Sequence, residues 1–289
     1  MYLFTKIRAF TFKELVLHVI IKLNIPIVSR TYYQKNLQPY AETVYDFISK
    51  GFKVKRIDKM TLSIMANEEK YFLRRHGSDI KVFEQVIVNE EYRSLIDLLE
   101  KCGLANTLLS VLDCGSNIGL FSAWILNKAR VKKIVSIEAD LENYVFQKYV
   151  FSNMRYNSDV ELVNKALWSD SESTLKISSD FRDGQQWAKS VVPALEIYPN
   201  TVKSISLNQV YDEYLDQEIH ILKIDIEGAE KAVFENECGF DRLLANTKLI
   251  AIEIHEEVES TTMILSILDR YGFELEKVGE TTFGYKKYN

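Results

Sequence analysis

A chain that carries Val111-Leu112-Asp113-Cys114-Gly115-Ser116-Asn117-Ile118-Gly119, followed by the apolar segment Leu120 to Ala129, is committed there to a strand, a tight loop and a helix. Glycines at 115 and 119 let the backbone turn sharply and pass close to a ligand, and the free N–H groups of the new helix face that ligand. A second apolar run, Lys133 to Ile137, ends in Glu138, where an acid suits hydrogen bonds to the two hydroxyls of an unphosphorylated ribose. Strand-like and helix-like segments then keep alternating. The strand candidates are Leu108 to Asp113, Lys133 to Glu138, Val160 to Val163, Ile219 to Asp225 and Leu249 to His255. This alternation predicts an α/β fold with a doubly wound, mainly parallel sheet. Phe273 to Val278 and Thr281 to Tyr288, separated around Gly279, read as a hairpin that gives the sheet an antiparallel edge.

With 289 residues the chain buries a full core, and one large domain with an extension fits better than two equal halves. The expected division is an N-terminal extension over 1–103 and the nucleoside-binding domain over 104–289. Within the extension, Lys53 to Ile57, Thr61 to Met65 and Lys70 to Arg74 read as a small antiparallel layer. Asn89 is placed to cap a lead-in helix with Tyr92, Leu95, Ile96 and Leu99 on one face and Gly103 closing it. Leu15 to Leu23 is apolar but interrupted by His18 and Lys22, short of the ~20 residues a membrane span requires. It reads as a helix packed on the main domain or on a second subunit. With Lys6, Arg8, Lys13 and Lys22, peripheral contact of residues 1–24 with an anionic membrane is the other reading. A net charge of -5 without clustered Lys and Arg argues against nucleic-acid partners. Three scattered cysteines make neither a disulfide framework nor a zinc set, which fits a reducing cytoplasm.

The loop discriminates between nucleosides. A dinucleotide fingerprint needs a middle glycine so that the pyrophosphate lies against the main chain, and here the loop is Gly-Ser-Asn-Ile-Gly. Asp113 would also repel a pyrophosphate, whereas S-adenosylmethionine (SAM) has no phosphate and carries a sulfonium and an ammonium that favour a carboxylate. A nucleotide-sugar oxidoreductase or epimerase is the rival enzyme. Its Tyr-x-x-x-Lys pair finds only Tyr144 and Lys148, directly after the ribose acid and too early for a catalytic helix. A non-catalytic SAM-binding protein is the other alternative.

Functional groups in such a sheet gather at the carboxyl ends of the strands. Ile221 to Ile224 runs into Asp225, Glu227 and Glu230, and if the strand persists Asp225 and Glu227 point the same way. Glu230 serves equally well as a favourable charge at the next helix start. Ile252-Glu253-Ile254-His255 again sets two polar side chains on one face. His255 is the first candidate base for an acceptor hydroxyl, with Asp225 or Glu227 next, and it serves equally as a positioning group. Clustered acids permit a divalent metal, but their spacing selects none. Asn164-Lys165-Ala166-Leu167-Trp168 follows a strand and can wall an adenine at Ala166, or pack as core. Arg182 and Trp187, in a loop-like segment, suit clamping and stacking on a sugar.

Taken together, Asp113 to Gly119, the strand-end Glu138, Asn164 to Trp168, Leu222 to Glu230 and Ile252 to His255 resemble the FkbM family of SAM-dependent methyltransferases. The segment Ser78 to Val86, then Glu91-Tyr92, is similar to the lead-in of bacterial members. The resemblance implies a class I, Rossmann-like methyltransferase fold and O-methylation, often of sugars in glycans or secondary metabolites. It further implies that Asp113, Gly115, Asn117, Gly119 and Glu138 hold SAM with Asp225 beside it. It covers roughly residues 78 to 260. The acceptor, any homo-oligomer and the role of residues 1–77 are not implied by it.

Overall fold

The computed structural model describes residues 10–11, 14–15, 38–75, 77–178, 190–194, 200–215, 218–255 and 261–286. The chain divides into two compact units, Met1–Val82 and Phe83–Asn289. The lead-in helix belongs to the second unit and packs on its large sheet. Most of the expected N-terminal helix, and the segment holding Arg182 and Trp187, lie outside the described residues.

In the first unit, α1 (Gln38–Ser49) buries Tyr40, Ala41, Val44, Phe47 and Ile48, the three- and four-residue spacing of one helical face. Strands β1 (Lys53–Arg56), β2 (Thr61–Ala66) and β3 (Glu69–Arg74) form the antiparallel layer. The turn between β2 and β3 is made by Asn67 and Glu68, both at positive φ (50° and 70°), the backbone twist that a two-residue hairpin requires. Behind it Arg75, 3 % exposed, pairs with Glu14 at 2.8 Å and lies over the Tyr40 ring. The short helix α2 (Asp79–Phe83) ends this unit, its Asp79 holding the Arg74 guanidinium at 2.7 Å.

The second unit opens with a π-helical turn, Glu84–Val88, and Asn89 closes that turn, its N–H donating to Glu84 O. Asn89 is therefore not the N-cap expected from sequence. The next helix, α3 (Arg93–Lys101), starts from Tyr92, whose ring packs edge-on against Phe121 at 4.7 Å. Aromatic packing fixes this helix start where a side-chain cap was expected.

The large sheet is built from β4 (Leu109–Cys114), β5 (Val131–Ile137), β6 (Asp159–Val163), β11 (Ile219–Ile224), β12 (Thr247–Glu253), β13 (Phe273–Val278) and β14 (Thr281–Lys286). Its order is β13-β14-β12-β11-β4-β5-β6. All pairs are parallel except those made by β14, which is antiparallel to both β12 and β13. Every residue of β11 is buried, as a central parallel strand covered on both faces must be. Helices α4 (Leu120–Lys128) and α5 (Leu141–Ser152) follow β4 and β5, and α9 (Thr261–Arg270) leads into β13. Between β11 and β12 lie α7 (Glu230–Glu235) and α8 (Asp241–Asn246). This is the class I methyltransferase architecture, an α/β doubly wound sheet with one antiparallel strand near its edge. The strand order reverses beside β4, with β5 on one side and β11 on the other.

A second sheet went unseen in the sequence. Strands β7 (Ala166–Leu167), β8 (Thr174–Ser178), β9 (Ser190–Pro193) and β10 (Thr201–Ile205) join in the order β7-β10-β8-β9, and α6 (Leu207–Tyr214) follows with Ser206 as its N-cap. Ala166, Leu175 and Val202 form its core. These strands are short and mostly half-exposed, so they lack the apolar runs that reveal buried parallel strands.

Candidate functional site

The carboxyl ends of β4 and β11 touch through their backbones. A Cβ on Gly115 would stand 1.7 Å from Asp225 O, so only glycine fits, and Gly115 takes φ +75. Gly119, at φ +84, would meet the Phe151 ring edge at 2.8 Å. Between them Asn117 adopts φ +52, a left-handed conformation that asparagine tolerates. The loop is anchored from below: Gly115 and Ser116 N–H both donate to Ile137 O at 3.0 Å, and Gln147 Nε2 donates to the Ser116 hydroxyl at 2.8 Å.

Glu138, at the end of β5, closes the loop from the other side. Its Oε2 accepts from Asn117 N–H at 2.7 Å, and its Oε1 accepts from Asp140 N–H at 2.9 Å. Burial pushes its carboxyl up to about 7, against these donors, which favour the ionised form. Asn164 holds the same strand end by donating to Glu138 O and Ala139 O at 2.9 and 3.0 Å. Its neighbour Ala166 is 2 % exposed inside the small sheet. Within this segment Asn164 is the residue bonded to the end of β5.

Asp113 lies underneath the loop, fully buried, with Oδ2 accepting from the Ser122 hydroxyl at 2.7 Å. Its counter-ion is Lys223, a residue the sequence reading passed over as part of an apolar strand. Lys223 is 3 % exposed, donates to Gly115 O at 2.8 Å, and lies 3.3 Å from Asp225 and 3.5 Å from Asp113. Burial works against its charge, but Asp225 and Asp113 hold it strongly protonated. Asp113 is nevertheless raised, because burial outweighs a cation that it shares with the nearer Asp225. A lysine inside an otherwise apolar strand, two residues before an acid, was the available signal, since a buried ammonium must be paired.

Strand β11 ends at Ile224, so Asp225 and Glu227 do not share a face by strand alternation as expected. They converge through a turn in which Glu227 takes φ +52 and Gly228 φ +87. In parallel register Ile224 lies beside Ile252, so Asp225 follows beside Glu253. His255, 1 % exposed, has Nδ1 2.5 Å from Glu230 Oε1, while Nε2 faces Glu227 at 3.3 Å and Glu253 at 3.5 Å. Burial opposes charge on this imidazole, but Glu227 and Glu230 outweigh it and hold the ring up to about 11. A carboxylate thus faces each nitrogen of His255. Burial and the Asp225 charge push Glu253 up to about 8. Glu230, fully buried, is the partner of His255 and not merely a helix-start charge.

Among the described residues no helix is long and apolar enough to cross a membrane. Comparison with known proteins adds a family match: the methyltransferase FkbM domain model covers residues 113–275. A curated relative, the AMB antimetabolite synthetase AmbE of Pseudomonas aeruginosa, is 26 % identical over 205 residues, 57 % of this chain but only 9 % of that protein. Solved structures with general likeness include an rRNA methylase from Streptococcus thermophilus (TM-score 0.42, 11 % identity, 68 % of this chain and 96 % of that one). Another is a methyltransferase from Pyrococcus furiosus (TM-score 0.40, 12 % identity, 86 % and 98 %).

Proposed function

Because the chain belongs to the FkbM methyltransferase family, we propose that it carries a methyl group from SAM to a hydroxyl oxygen, that of a sugar in a glycan or secondary metabolite. When bound, SAM supplies a methyl group on a sulfonium, already activated for transfer. The loop residues suit such a group. Asn117 Oδ1 is buried with no hydrogen-bond donor among the described residues, which leaves an acceptor for an ammonium. Glu138 Oε2 takes one backbone N–H and keeps room for a ribose hydroxyl. Gly115, Gly119 and Asp113 shape and support the loop, and Asp225 borders it.

The observation that carries the reading is the contact between the two strand ends. Lys223 and the Asp225 N–H bind Gly115 O and Cys114 O at 2.8 and 3.1 Å, which brings the glycine loop next to the acid–histidine set. One side then holds the methyl donor and the other the acceptor, as alignment of a transfer requires. The acceptor hydroxyl must lose its proton as its oxygen attacks. With His255 enclosed by carboxylates, we assign that proton to Glu227, which stands on the turn beyond β11 and outside the Asp225–Glu253 pair. Asp225 and Glu253 line the acceptor side. Local likeness to an antimetabolite synthetase agrees with a small-molecule acceptor.

Labelled SAM and a panel of free sugars, glycosides and small hydroxylated metabolites test this. Transfer to a hydroxylated acceptor is expected, and Glu227→Gln should lower turnover roughly 10²- to 10⁴-fold with SAM affinity close to parent. A Gln variant that turns over like the parent removes Glu227 as the proton acceptor. Transfer only to nitrogen or carbon acceptors contradicts O-methylation.

A further inference from the structure

We infer that Asp225, Glu253 and His255 form a binding site for one divalent cation on the acceptor side. One ligand atom from each of the three lies within 4.8 Å of the others. Opposite donors on one ion stand about 4.2 Å apart, twice a bond of about 2.1 Å. Small side-chain rotations therefore close the set on a metal.

Three features argue for a cation there. Asp225, the first residue past β11, lies within 4.8 Å of Glu253, the last residue of β12, by their carboxylate oxygens. Two carboxyls brought together there repel each other when both are ionised, and a cation between them removes that cost. Next, the imidazole is oriented from behind: Nδ1 faces Glu230 at 2.5 Å, and both side chains are fully enclosed. A carboxylate on one histidine nitrogen is an arrangement that orients the other nitrogen for a metal, here Nε2, which faces both Glu227 at 3.3 Å and Glu253 at 3.5 Å. Finally, among the described residues acids outnumber bases around this set, with Lys223 shared between Asp113 and Asp225. A divalent ion offsets most of that excess. It also displaces the proton that His255 otherwise carries between its carboxylates.

The donor set selects the kind of ion. One imidazole and two carboxylates suit Mn²⁺ or a similar first-row ion better than Ca²⁺, which prefers oxygen alone. Three protein ligands leave positions open for acceptor oxygens, and a hydroxyl on a divalent ion gives up its proton more readily. That role in the reaction rests on the methyltransferase reading; the site itself stands on the geometry of the three side chains.

Full-length protein, stripped with a chelator and supplied with S-adenosylhomocysteine (SAH), is titrated with MnCl₂ and followed by the electron paramagnetic resonance signal of free Mn²⁺. One Mn²⁺ per chain is expected. His255→Ala and Glu253→Gln should each weaken it by at least tenfold, and Glu230→Gln, which removes only the orienting carboxylate, by 10- to 100-fold. Calorimetric titration of SAH on the same samples reports whether each variant keeps its fold and its cofactor side. If a variant does not fold, the parent alone still decides, since Mn²⁺ must raise its melting temperature in proportion to occupancy. A parent that binds SAH but no stoichiometric Mn²⁺ overturns the metal site and leaves the methyltransferase reading intact. Mn²⁺ binding that His255→Ala and Glu253→Gln leave unchanged also overturns it. Mn²⁺ binding without SAH binding upholds the site and contradicts the cofactor reading.

Discussion

At the ends of β4 and β5 the chain holds its loop with backbone and amide hydrogen bonds, whereas at the ends of β11 and β12 it gathers charge. On the first side Glu138 faces two backbone N–H groups, and Ser116 and Gln147 anchor the loop from below. On the second side four acids surround one histidine and border one shared lysine. The first region is shaped before any ligand arrives; the second is left with acids in excess, so its energetics depend on what positive or polar group enters. A loop held by its own hydrogen bonds and a strand end rich in acids therefore meet at a single buried cation, Lys223.

The largest effect is expected from forcing the two regions apart. Gly115→Ala places a Cβ against the Asp225 carbonyl at a positive φ, so neither a side-chain rotation nor a small backbone shift relieves it. A stability loss of more than about 5 kcal/mol is expected, with SAH binding abolished, as measured by denaturant unfolding and calorimetry. Parent-like binding would show that the strand ends are not in backbone contact.

Removing the shared cation comes next. Lys223→Met keeps the length of the side chain and leaves Asp113 and Asp225 without their ammonium. Losing one member of a buried ion pair costs about 3–5 kcal/mol. Adding Asp113→Asn should recover part of that loss, because the orphaned buried acid is removed with it. If the double variant is as unstable as the sum of the singles, Lys223 and Asp113 do not act as a pair.

The smaller effect sharpens the loop side. Glu138 is raised from about 4.5 to about 7 by burial, so the folded state binds its proton more tightly than the unfolded one. Its contribution to stability is therefore full below about pH 4.5 and is lost as pH rises through about 7. A ribose hydroxyl donates to the ionised form, so SAH affinity should climb across the same window. Glu138→Gln should flatten both dependences and weaken SAH by about 1–3 kcal/mol at pH 8. Unchanged affinity in a folded variant removes Glu138 from the cofactor side.

The two regions were also unequally legible in the sequence. Strand–loop–helix periodicity and glycine spacing are local, so β4, the Gly115–Gly119 loop, the strand-end Glu138 and the alternating strands of a mainly parallel α/β sheet could be read directly. The acid–histidine side depends on contacts between distant segments. Residue type brought Asp225, Glu227, Glu253 and His255 forward, but their roles turned on a left-handed turn at Glu227 and on Glu230 lying behind the imidazole. No periodicity encodes either feature. Lys223 was hidden for a related reason, since a lysine in an apolar strand looks like an interruption until its two acids are seen. The small sheet of β7 to β10 escaped because strands of two to five residues carry too short a pattern.

The loop at the ends of β4 and β5 is expected to hold SAM and not a dinucleotide. Its most direct test is calorimetric titration of the full-length chain with SAH and, separately, with NAD. One SAH per chain is expected, with no measurable heat of binding from NAD. Saturable NAD binding in the absence of SAH binding would contradict the account.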